Sequence, residues 1–125
     1  MTRINVVPVQ ELSRQHLIAE YREITRLPGN LKKSLNRKSK PFKMSEIPPE
    51  YVLGSGHVKF FFNKMKFLKI RYEQLVTEMV SRGYHPTFTD SSIFSECGIL
   101  FFNDYSPTPS ALTLNRQRIK DRSYE

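Results

Sequence analysis

The chain has 125 residues, 38% of them hydrophobic and 12% aromatic, which suits one compact domain and is too apolar for a disordered tail. Lysine and arginine total 20 against 12 acids, a formal net charge of +8 that draws a small protein to polyanions. A single cysteine, Cys97, excludes an internal disulfide and fits a reducing, cytoplasmic setting; His16, His57 and His85 stand far apart with no Cys-x-x-Cys, so no metal or other cofactor is expected.

In chain order, the first helix is expected from Gln10 to Leu27, closed by the breaker pair Pro28-Gly29. Asn30 to Pro49 follows; its first part carries Lys32, Lys33, Arg37, Lys38, Lys40 and Lys43 with no acid, and reads as a helix continuation followed by a loop. The second helix is expected to begin after Gly56 and run to Arg82, where Gly83 offers a cap and Pro86 blocks continuation. Its apolar positions Val58, Phe61, Met65, Leu68, Tyr72, Leu75 and Met79 step alternately by three and four. The third opens at Thr108-Pro109, an N-cap with proline at the first helical position, and runs to Arg122 through Leu112, Asn115 and Ile119. Strand signals at 51–53 and 99–102 are short, so the fold class is all-α. No segment approaches the ~20 apolar residues of a membrane span or the ~7–15 of a signal peptide.

The charge is concentrated. Residues 1–45 hold ten basic side chains and three acids, a net +7 of the total +8. The apolar faces are taken up by packing a small core, which leaves none for a membrane surface, so nucleic acid is the expected partner. On a helical wheel, Leu17, Ile18, Tyr21 and Ile24 mark the core side of the first helix. His16, Ala19, Glu23 and Arg26 fall roughly opposite, with Arg22 at the border. Such a face is ordinarily solvated, and a Glu23–Arg26 pair contributes only ~0.2–0.5 kcal/mol. A carboxylate on a surface meant for phosphate is nevertheless repelled by its partner, which points to a role.

Residues 1–5 (Met-Thr-Arg-Ile-Asn), Glu11-Leu12, Gln15-His16-Leu17, the run Ala19 to Glu23, and Arg26 together closely resemble the pyrimidine-dimer DNA glycosylase/AP lyase family of the phage endonuclease V type. The likeness continues through Leu53 to Val58, Phe60-Phe61, Lys64, Phe67-Leu68, Arg71, Arg82-Gly83, Asp104-Tyr105, Pro107 and the Arg118 region, and is weakest over 87–102. The resemblance implies a compact single-layer domain of three helices with long connecting loops, spanning 1–125. It implies one site that removes a damaged base and then cleaves the strand. The family's nucleophile, the α-amine of a threonine bared by methionine removal, falls on Thr2, and its catalytic glutamate on Glu23. Its DNA contacts fall on Arg3, His16, Arg22, Arg26, Arg118 and Arg122, and its partner is double-stranded DNA carrying damaged bases, bound by a monomer. The flipped base is then the partner of the lesion. Phage members carry an aromatic-rich C-terminal tail with tryptophan; this chain has no tryptophan and ends Ser123-Tyr124-Glu125, so weaker discrimination of dimers is expected unless Phe101, Phe102 and Tyr105 compensate.

These residue types suit the chemistry. An α-amine has a pKa near ~7.7–8.0 against ~10.4 for lysine, so far more of it is free base at neutral pH. A carboxylate can stabilise positive charge on the sugar and assist proton transfer. The sequence alone also admits an AP lyase or a glycosylase for another damaged base, a DNA-binding module without activity, and an amidohydrolase using the Thr2 hydroxyl.

Overall fold

The computed structural model describes residues 3–122, and among them there is no β-strand. The helices are α1 (Arg14–Ile24), α2 (Arg26–Leu35), α3 (His57–Phe60), α4 (Met65–Ser81) and α5 (Pro109–Asp121); one 3-10 turn precedes α1 and three lie in the connecting loops. The all-α expectation therefore holds, with three long helical stretches: α1–α2, α4 and α5.

Two helix boundaries differ from the sequence reading. The first helix begins at Arg14, because Ser13 caps it by accepting the His16 amide at 3.3 Å. It then breaks at Thr25 and resumes as α2, so Pro28-Gly29 does not end it. The break supplies the reason. Pro28 becomes the third residue of a new helix, where an amide has no intrahelical partner to lose. The Thr25 hydroxyl donates to the Arg22 carbonyl at 3.3 Å.

The expected second helix is interrupted at 61–64. Phe60, Phe61 and Phe62 are all buried, and three consecutive side chains span about 200° of a helix, too wide for one core-facing stripe. The chain turns instead. Lys64 Nζ donates to the Phe60 carbonyl at 2.8 Å, and Asn103 Nδ2 donates to the Asn63 carbonyl at 2.9 Å. Beyond the turn, Met65, Leu68, Tyr72, Leu75 and Met79 are buried, as their spacing predicts. The third helix starts as expected: Thr108 Oγ1 accepts the Ala111 amide at 3.1 Å.

α4 packs on α1 and on the 3-10 turn Ser91–Ser95, whose Phe94 is buried against Tyr72. The segment 3–7 threads through this core in neither helix nor strand, with Ile4, Asn5, Val6 and Val7 all buried. Side chains take over its backbone bonding. His57 Nε2 accepts the Ile4 amide at 2.8 Å, and the Tyr51 hydroxyl donates to the Ile4 carbonyl at 3.0 Å. Asn115 Oδ1 on α5 accepts the Val6 and Val7 amides at 2.6 and 3.1 Å, and Arg71 Nη1 donates to the Val7 carbonyl. No helix is long and apolar enough to cross a membrane among the described residues.

Candidate active site

The gripped segment 3–7 leads into a cleft of about 300 Å³ between the N-terminal segment, α1 and α5. Arg3 and Asn5 line it from the segment, His16, Ala19, Glu20 and Glu23 from α1, and Arg118, Ile119 and Arg122 from α5. Ala19, Glu23 and His16 meet there because they share a helical face, and the small Ala19 keeps its floor open.

Glu23 Oε2 accepts the Arg3 amide at 3.2 Å, which ties the carboxylate to the N-terminal segment. Three guanidinium groups, those of Arg3, Arg118 and Arg122, line the same cleft. Burial lowers the Arg3 pKa, and repulsion from Arg118 and Arg122 lowers it further, partly offset by Tyr51 and Glu23. Cations brought this close favour an anion between them. Arg118 Nε is shut off from solvent and has no hydrogen-bond partner among the described residues. Burial likewise lowers the His16 pKa, against the opposing pull of the Arg122 carbonyl, so its ring is neutral at neutral pH.

Beneath the cleft runs a polar chain that sequence reasoning missed. Glu20, 1% exposed, takes Arg71 Nε at 2.7 Å and Nη2 at 3.0 Å. Asn5 Nδ2 donates to Glu20 Oε1 at 2.8 Å, and Asn115 Nδ2 donates to Asn5 Oδ1 at 2.8 Å. Every link is satisfied, which fixes segment 3–7 against α1, α4 and α5 at once. A signal was present: Glu20 lies three residues after Leu17 and four before Ile24, and Arg71 three after Leu68 and four before Leu75, so both are in phase with core positions.

Of the expected site residues, Arg3, His16, Glu23, Arg118 and Arg122 converge on the cleft. Arg22 and Arg26 do not line it; both are exposed on the outer ridge of α1 and α2. Thr2 lies outside the described residues. His57 is 3% exposed, with Nε2 on the Ile4 amide and Nδ1 2.7 Å from the Val52 carbonyl. Burial lowers its pKa, so the ring is neutral with the proton on Nδ1. Phe101, Phe102 and Tyr105 pack against the core, leaving Phe88, Ile99 and Leu100 as the exposed large apolar residues of that loop region.

A carboxylate set among guanidinium groups in a cleft, on a small basic all-α fold, defines a class of protein that acts on a polyanion. The family model described as pyrimidine dimer DNA glycosylase matches residues 1–92, a span that includes Arg3, His16, Glu20, Glu23, His57 and Arg71. The chain belongs to that family, and it is accordingly a DNA-repair glycosylase whose substrate is DNA. Arg118 and Arg122 lie beyond the matched span and join the site through α5.

Proposed function

We propose that the protein excises UV-induced cyclobutane pyrimidine dimers from double-stranded DNA and then cleaves the strand, with the Thr2 α-amine as nucleophile and Glu23 as catalytic carboxylate. The observation that carries this reading is the 3.2 Å bond from the Arg3 amide to Glu23 Oε2. Arg3 follows Thr2 directly in the chain, so this bond ties Glu23 to the residue next to the proposed nucleophile. The bond supports the reading because Glu23 is held at the start of a segment whose backbone is itself bonded at Ile4, Val6 and Val7.

The amine attacks C1′ of the damaged nucleotide, and the glycosidic electron pair leaves with the base, which takes up a proton. Ring opening gives an imine between C1′ and the amine nitrogen. The imine acidifies C2′, and Glu23 accepts or relays the C2′ proton as β-elimination expels the 3′ phosphate. Water then hydrolyses the imine and frees the amine. Before that, the Glu23 carboxylate stabilises positive charge on the sugar. Arg3, Arg118 and Arg122 hold the phosphates on either side of the lesion, His16 adds a neutral polar contact, and Arg22 and Arg26 bind backbone further out. All of these groups come from one chain, so a monomer suffices, with residues 1–125 as one functional unit.

The test is incision of matched duplexes carrying a cyclobutane dimer, an abasic site or an oxidised base. Cleavage of the dimer and abasic duplexes is expected. Cleavage of the abasic duplex alone would reduce the protein to an AP lyase, and binding without any cleavage would reduce it to a DNA-binding module.

A further inference from the structure

A second concave surface lies beside α2, away from the chemistry at Glu23. Lys33 and Arg37, from α2 and the residues just past its end, face Lys59 and the turn 54–56 across a groove of about 550 Å³. Lys33 lies in the last turn of α2 and Arg37 just past its C-cap, Asn36. The groove holds three cations against one carboxylate, Glu46. Glu46 is already occupied, by Lys59 Nζ at 3.0 Å and the Lys43 amide at 2.9 Å. Arg37 is exposed, and its guanidinium makes no hydrogen bond or salt bridge among the described residues. The turn on the other side contributes Gly54, with a φ of +72° and open space where a Cβ would stand, beside Ser55 and Gly56.

A guanidinium fork, two ammonium groups and a Gly-Ser-Gly turn that carries the Ser55 hydroxyl suit a tetrahedral anion. Glu23 and Arg37 are fourteen residues apart, mostly helical, and are therefore separated by at most about 25 Å, or roughly seven base-pair steps of a duplex. We propose that this groove binds a phosphodiester of the duplex flanking the lesion, making it a second backbone-holding site several base pairs from the point of excision. The proposal rests on the assignment of DNA as substrate.

The test uses the full chain and an undamaged duplex of about 20 base pairs, with affinity measured by fluorescence anisotropy between about 50 and 200 mM salt. Arg37→Ala and Lys59→Ala are each expected to reduce the slope of log K against log salt by about 0.9, the loss of one neutralised phosphate, and Arg37→Lys to restore it. Lys66→Ala removes the same charge from exposed α4 surface outside the groove, and is expected to move the slope far less. An unchanged slope for Arg37→Ala would overturn the proposal. So would an equal drop for Lys66→Ala, which would reduce the effect to net charge. Undamaged DNA is bound without chemistry, so this result is independent of whether an imine forms at the N-terminus: failed imine trapping with the slopes as expected would sink the lyase reading and leave the groove standing.

Discussion

Glu20 and Glu23 lie three residues apart on α1, and their surroundings give them opposite work. Glu20 is buried and fully bonded to Arg71 and Asn5, so its charge is compensated and it holds the scaffold. Removing its partner should be severe: Arg71→Ala is expected to cost about 3–5 kcal/mol in urea unfolding, because a buried carboxylate is left without its cation. A loss below about 1 kcal/mol would show that the pair does not hold segment 3–7 in place. Glu23 stands in the cleft with three guanidinium groups. Glu23→Gln is expected to abolish strand cleavage and to leave DNA binding equal or tighter, since a negative charge is removed where phosphate sits; normal cleavage by this variant would remove Glu23 from the mechanism. His57 supplies a pH dependence. Its folded-state pKa is depressed, so the unfolded chain binds a proton more readily. The stability it contributes is complete above the unfolded value near ~6.5 and declines as pH falls below that, by at most about 1.4 kcal/mol per pH unit. Equilibrium unfolding of wild type and His57→Asn between about pH 5 and 8 should show this slope in the first and its loss in the second.

At the scale of elements, the site depends on α5 keeping its place, because Asn115 anchors residues 6–7 while Arg118 and Arg122 face the cleft one turn and two turns further on. Thr108→Ala removes the cap at the start of α5 and is expected to cost about 1 kcal/mol, read as a lowered melting temperature, with a matching loss of DNA affinity if the helix frays toward the site. Full affinity despite a destabilised α5 would separate the two. The spacing of the apolar residues made α4 legible in the sequence, and Thr108-Pro109 made the start of α5 legible, because both signals are local. The breaks at Thr25 and at 61–64 were not, since each is decided by tertiary context: where Pro28 falls in a helical turn, and how three adjacent phenylalanines reach one core. The cluster of Arg3, His16 and Glu23 could be read from α1's outer face and the N-terminal motif. Asn115 showed only as a position on the face of α5 shared with Leu112 and Ile119, and the linkage of Asn5, Glu20, Arg71 and Asn115 was not legible, because polar residues in phase with the core reveal their partners only once the elements are packed.

Across the whole molecule, charge and rigidity divide the labour. Residues 1–45 hold +7 of the net +8, and the fold spreads that charge over the cleft, the outer ridge of Arg22 and Arg26, and the groove at Arg37. The N-terminal segment is held by side chains from α3, α4 and α5, and its Arg3 amide bonds Glu23; the proposed mechanism adds the Thr2 α-amine as nucleophile at that end. Borohydride trapping on an abasic duplex tests this most directly, comparing protein that begins at Thr2 with protein bearing one added N-terminal residue. The account predicts a covalent DNA adduct in the first, mapped to the N-terminal peptide, and its near-complete loss in the second. Equal trapping by the two, or an adduct mapped to an internal lysine, would contradict it.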